Sequence, residues 1–195
     1  EALLYISYLE WLKSDRTKVN VDRINAFLEL DPQISTDHRH NVFIYKGRVQ
    51  WPVLTRYCEQ LADKMDGDPR GAAFRAVCYS KEGRKKDART WIEKAVHQSP
   101  QDPLIHAWYS YILNDSGMGD QASVALGRAG ELNRKGEYAL PFLMQARFCQ
   151  AAGDQDCARQ NWQRLYEKND RSIAAVGGLA ITYAKLGSFS EAASY

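Results

Sequence analysis

No apolar run in this 195-residue chain reaches the roughly 18 residues of a membrane-spanning helix. The apolar start, "ALLYISYLEWLK", carries Glu10 and Lys13 and lacks the basic opening of a signal peptide. Charge of one sign is missing as well. The 26 basic and 24 acidic residues leave a net charge of +2. Phosphate neutralisation supplies most of a nucleic-acid binder's affinity, so near-neutrality argues against that role. Cysteine is sparse. Cys58, Cys78, Cys149 and Cys157 include no pair at the close spacing of a zinc site. Glycine-rich phosphate loops, a nucleophile elbow and a zinc-peptidase signature are all absent. His38 and His40 stand two apart, a spacing that points them in different directions on a helix. His97 and His106 have no evident acidic or cysteine partner. Asp and Glu are scattered along polar faces. The expectation is a chain with no catalytic constellation, no cofactor and no metal site.

What is present is a clock. "GRKKDARTWIEKA" runs from Gly83 to Ala95, and "GMGDQASVALGRA" runs from Gly117 to Ala129, 34 residues later. Few letters match, yet Gly, Ala and Ala fall at identical offsets. The next set is Gly153, Ala158 and Leu165, shifted by 36, so two residues are inserted around "NRKGEY". Another 34 gives Gly187 and Ala192, and 36 residues before Gly83 stands Gly47. Glycine is only 13 of 195 residues, so this phasing is not chance.

Between the marks the pattern is helical. "AAFRAVCYSKEG" and "LIHAWYSYILNDSG" each present one broad apolar face and stop at glycine. "KKDARTWIEKAVHQ" and "DQASVALGRAGEL" do the same on the other side of the turn. Pro32, Pro69, Pro100 and Pro103 fall between pairs, where a helix cannot continue. Asp68-Pro69 and Asp102-Pro103 read as helix entries, with Asp as cap and Pro in the first turn. Each unit is helix, tight turn, helix. Glycine ends the first helix, and the two alanines mark the closest helix contacts, where a larger side chain overpacks. The expected class is all-α, a right-handed α-solenoid of antiparallel helix pairs.

These marks resemble the tetratricopeptide repeat (TPR) family, whose period is 34 residues. Unit 103–138 carries Tyr109, Ser110, Leu113, Ala122, Leu126 and Ala129 in family slots. Unit 69–102 carries Tyr79, Ala88, Ile92, Ala95 and Pro100. The last unit offers Leu179, Ala180, Tyr183, Gly187, Phe189 and Ala192. The organisation expected is one TPR-like domain over 1–195, with units 69–102, 103–138, 139–172 and a truncated 173–195. Residues 1–68 are expected to form two degenerate hairpins, "LLYISYLEWLK" with "VDRINAFLELD" and "DHRHNVFIYKG" with "PVLTRYCEQLADKM". Asn20 and Pro52 take alanine slots there. Arg75 and Gln145 take apolar slots, which implies either a phase shift or side chains that run out to solvent. The start at Glu1 and the end inside a helical pattern lead to the expectation of a piece of a longer protein, with self-association through exposed repeat ends.

The resemblance implies a non-catalytic interaction scaffold that binds a protein or peptide through a concave groove lined by first helices. The family's groove slots fall on Arg70, Ala73, Val77, Ser80 and Lys81, then on Leu104, Ala107, Tyr111, Asn114 and Asp115. Leu140, Leu143, Arg147, Gln150 and Ala151 follow, then Ala174, Gly177, Ile181, Ala184 and Lys185. From these the expected partner-binding residues are Arg70, Lys81, Tyr111, Asn114, Asp115, Leu140, Leu143, Arg147, Gln150, Ile181 and Lys185. Tyr111 stands as an aromatic anchor and Arg147 as a fork for a carboxylate, with Leu140, Leu143 and Ile181 offering apolar pockets. The slots of the family's chaperone-tail clamp hold Ala73, Val77, Tyr111, Leu140 and Met144, so binding to an acidic chaperone tail is not implied. The alternatives are a nucleic-acid-binding helical repeat, or a regulatory module of a larger enzyme or secretion machine. The basic clusters "GRKKDAR" and "NRKGE" read as solvated turns, or as contacts for RNA, an anionic membrane or an acidic partner. Single cysteines on apolar faces read as small buried hydrophobes. Cys149 and Cys157 flank a turn, and a bridge there would mean an oxidising compartment rather than the cytoplasm.

Overall fold

The computed structural model describes residues 21–29, 51–65 and 67–195. They form helices and connecting turns, with no strand among the described residues. The helices are α1 (Val21–Leu28), α2 (Trp51–Lys64), α3 (Pro69–Glu82), α4 (Lys85–Gln98), α5 (Pro103–Asp115), α6 (Gly119–Leu132), α7 (Ala139–Ala152), α8 (Gln155–Lys168), α9 (Ile173–Lys185) and α10 (Phe189–Ser194). Consecutive helices pack as pairs, α3 with α4, α5 with α6, α7 with α8 and α9 with α10. Each second helix also packs on the first helix of the next pair, and α3, α5, α7 and α9 touch in series. Of the two N-terminal hairpins expected from sequence, the second helices are α1 and α2. The first helices expected there, and Trp11, Asn20, Pro32, His38, His40 and Gly47, lie outside the described residues.

The turn within each pair has one construction. Gly83, Gly117, Gly153 and Gly187 have φ of 89, 80, 80 and 79°. The N–H of the next residue reaches back 2.9 Å to the carbonyl of Tyr79, Leu113, Cys149 or Tyr183. That bond satisfies a carbonyl the helix end would otherwise leave orphaned. A Cβ at any of these glycines would meet nothing within 4 Å. Glycine is required for the backbone angle and not for space. Ala88, Ala122 and Ala158 follow at the pair contact, and Ala95 and Ala129 at the next-unit contact, all buried.

Helix entries are capped as the Asp-Pro pairs suggest. Asp68 Oδ1 accepts from the Arg70 N–H at 2.9 Å, and Asp102 Oδ1 accepts from Leu104 N–H at 2.9 Å and Ile105 N–H at 3.3 Å. Asp154 Oδ1 accepts from the Cys157 N–H at 2.9 Å. The two inserted residues before α7 are held differently. The buried Asn133 side chain brackets Tyr138, donating to its carbonyl at 2.8 Å and accepting from its N–H at 3.0 Å.

Two sequence readings are corrected here, and one left open is settled. Arg75 is neither out of phase nor solvated. It is buried, its Nη2 donates to the Glu59 carbonyl at 2.6 Å and pairs with Asp63, and its guanidinium stacks 4.1 Å from the Trp91 ring centroid. The acceptors come from α2, the preceding helix, whose packing no repeat slot could show. Cys58 and Cys78 are not isolated hydrophobes, because they form a disulfide that joins α2 to α3. Cys149 and Cys157, which the sequence raised as a pair flanking a turn, are bridged across Gly153.

Beside Arg75, the Tyr79 hydroxyl donates to Glu59 Oε1 at 2.6 Å. Burial and the Glu59 carboxylate push the Tyr79 pKa up to about 12. A raised pKa in the folded chain stabilises the fold fully below the phenol's ordinary value of 10.0. That contribution is lost as pH rises through about 12. Replacement Tyr79→Phe is therefore expected to flatten the fall in unfolding free energy between these two pH values, measured by urea titration against pH. The α8–α9 contact supplies a second test. A Cβ on Gly178 would fall inside the Trp162 indole, 2.9 Å from its Cε3. Gly178→Ala is expected to destabilise the chain by about 1–3 kcal/mol through overpacking, read as a lower urea midpoint.

Candidate partner-binding groove

The slots assigned to the groove differ in how far they are covered. On α3 and α5, Ala73, Val77, Leu104 and Ala107 are buried. Part of the cover is α1. Its Phe27 meets Phe74 edge-on, with ring centroids 5.6 Å apart. Its Asn25 Oδ1 accepts from Arg70 Nη1 at 2.8 Å. The carbonyl of its last residue, Leu28, accepts from the buried Trp108 Nε1–H at 2.6 Å. These contacts fall on the first helices of two successive pairs, the face that lines the groove in the repeat pattern. Ile24, Phe27 and Leu28 are 2, 5 and 0% exposed.

Arg70 is tied from three sides. Besides Asn25, its Nη2 donates to the Tyr138 hydroxyl at 3.1 Å, and its Nε lies 3.6 Å from Asp102 Oδ2. The same Asp102 caps α5 with its other oxygen, so one carboxylate serves two junctions. The Asn133 bracket fixes the backbone of Tyr138 and with it the hydroxyl that Arg70 meets. Lys81 and Tyr111 come together, the ammonium 3.3 Å from the phenol oxygen and 5.0 Å from the ring centroid. Tyr111 also packs edge-on against Trp108 at 5.6 Å. Asp115 is drawn to the α4 side, where Lys85 pairs with its carboxylate at 3.4 Å and donates to its carbonyl. Asn114 is exposed.

Leu140 and Leu143 are buried in the core and present no open pocket. They differ in this from the sequence expectation, because neighbouring helices close over them. Further along, Arg147 and Gln150 are half-buried, while Ile181 and Lys185 are exposed. Gln150 Nε2 donates to Thr182 Oγ1 at 3.1 Å and locks α7 to α9. Ile181 is 54% exposed, although it is a large apolar side chain.

The basic turn at 83–89 is largely neutralised on the surface. Arg84 pairs with Asp87 at 2.7 Å and Glu59 at 3.4 Å, and Arg89 with Glu93 at 3.6 Å. His106 is buried, with Nε2 3.0 Å from the Pro100 carbonyl. Among the described residues no cluster of three or more His, Cys, Asp or Glu could hold a metal. No helix among them is long and apolar enough to cross a membrane.

Solved structures share this arrangement. The thermophilic TPR protein TTC0263 from Thermus thermophilus superposes with a TM-score of 0.60 at 19% identity, covering 74% of this chain and 78% of that one. A MamA crystal structure gives 0.59 at 18% identity, over 74% and 84%. MamA from Desulfovibrio magneticus RS-1, residue 41 to its end, gives 0.57 at 14% identity, over 75% and 82%. The fold is a TPR-like α-solenoid. No protein-family model matches the sequence, and no curated protein sequence matches it. At these identities the likeness concerns the fold alone.

What sequence reasoning missed in this TPR-like chain is α1 as an occupant of the groove face. The signal was present in two parts. Ile24, Phe27 and Leu28 stand at i, i+3 and i+4, and the alanine clock stops before residue 69. Removing the bracket behind Arg70 tests how the groove is held. Asn133→Ala is expected to cost about 1–3 kcal/mol by leaving Tyr138 backbone groups unpaired, measured by urea unfolding.

Proposed function

We infer that the chain is a non-catalytic interaction scaffold that binds a protein or peptide partner along the face of its first helices. One observation carries this reading. Ile181 is a large apolar side chain left exposed on α9, in the same repeat slot as Arg147 on α7 and beside the Gln150–Thr182 lock. An isoleucine left exposed in a groove slot suits a segment that brings an apolar side chain to this face. Leu140 and Leu143 belong to the support beneath this surface, and Arg70, Lys81, Tyr111, Asn114 and Asp115 to its N-terminal continuation. The reading assumes one repeat domain, with units 69–102, 103–138, 139–172 and 173–195. A regulatory module within a larger enzyme or assembly machine would work by the same binding.

The test is affinity capture from native extract on the immobilised chain, beside an Arg147→Glu, Ile181→Asp variant of unchanged helicity. Partners retained by the chain and lost by the variant are the expected result. The same partners held equally by both would place the working surface elsewhere.

A further inference from the structure

We propose that the groove face of α3 and α5 is a receptor for a short amphipathic helix, that α1 is its resident ligand, and that a partner helix of the same chemistry displaces it. The proposal rests on the scaffold reading and deepens it. α1 has eight residues, fewer than an isolated helix needs in water, so packing against the rest of the chain is what holds it. Its apolar side chains follow the i, i+3, i+4 pattern of a helix that lays one face into a groove. Asp22, Ala26 and Glu29 are exposed, on the side away from the contact.

The receptor reads more than apolar shape. Phe74 takes an aromatic ring at the second apolar position. Arg70, held in place by Asp102 and Tyr138, reads a side-chain carbonyl one residue after the first. Trp108 Nε1–H reads one of the terminal carbonyls that every helix leaves without an internal partner. The last contact fixes where the helix must end. The ligand is thus a helix with an aliphatic residue, then Asn or Gln beside it, an aromatic three positions on and an aliphatic four positions on. It stops at that final residue.

Because α1 belongs to the same chain, it competes at a local concentration of about millimolar. With a dissociation constant of about 0.1 mM for α1 itself, a competing helix would be weakened by roughly 10-fold. α1 therefore sets a threshold for occupancy of this part of the groove.

The probe is a fluorescein-labelled synthetic peptide spanning residues 18–31, titrated by anisotropy into the full chain. An Ile24→Asp, Phe27→Asp variant of the full chain has its own α1 disabled. The variant is expected to bind the peptide about 10-fold more tightly than the unaltered chain. A peptide with Phe27→Ala should lose that binding. Arg70→Ala in the variant should weaken the parent peptide several-fold and leave an Asn25→Leu peptide unaffected. A variant that keeps its helicity and binds no better than the unaltered chain overturns the proposal.

Hydrogen exchange on the unaltered chain decides the matter if the variant does not fold. α1 amides should exchange at least 10-fold faster than those in the middle of α3 and α5. Equal protection would make α1 part of the cooperative core and overturn the proposal. An unaltered chain that runs as a dimer with α1 crossing between copies would replace the partner helix with a second copy, and would overturn it as well. Peptide binding and extract capture address different parts of the groove. Failure of the first leaves the scaffold reading standing, and failure of the second leaves the α1 receptor standing.

Discussion

The whole arrangement depends on a backbone hydrogen bond that only glycine permits at its position. Four times, a residue in the left-handed region lets the next N–H return to a carbonyl at 2.9 Å. That closure ends the first helix, reverses the chain and starts the second within two residues. Antiparallel packing follows, and with it the need for a small side chain where the helices cross. Ala88, Ala122 and Ala158 meet that need. Everything downstream is a matter of register. A repeat of 34 to 36 residues brings corresponding positions of α3, α5, α7 and α9 onto one face.

Register is also what makes a composite surface from distant residues. Arg70 and Trp108 are 38 apart in sequence, yet both reach α1. Their partners, Asn25 and Leu28, come from α1, outside the units that match the repeat well. Asp102 links the elements again, capping α5 and pairing with Arg70. Polar groups at the junctions are shared in this way, so the stack is joined by a few side chains with two duties each. The disulfides add covalent joints at two other contacts, between α2 and α3 and between α7 and α8.

Much of this was legible in the chain. Glycine, alanine and Asp-Pro act locally, so their spacing disclosed the turns, the crossings and the helix entries. The insertion at "NRKGEY" was visible as a phase shift, but the Asn133 bracket that absorbs it was not. Arg75 shows the limit best. In sequence it is a charge in an apolar slot. Its acceptors, Asp63 and Glu59, sit on α2, and nothing in a repeat pattern states which surface charges another helix will bring close. Leu140 and Leu143 show the converse, since a groove slot filled by leucine is open or closed according to what packs over it.

The sequence by itself determined the helices, their ends, their pairing and the solenoid, because each rests on contacts within one or two units. Tertiary structure alone decided which part of the groove face is occupied, that Cys58 meets Cys78 and which charges are paired. Those outcomes join residues up to 80 positions apart, as Trp108 and Leu28 do. A periodic pattern encodes how neighbours stack and does not state which side chains join α1 to α3 and α5.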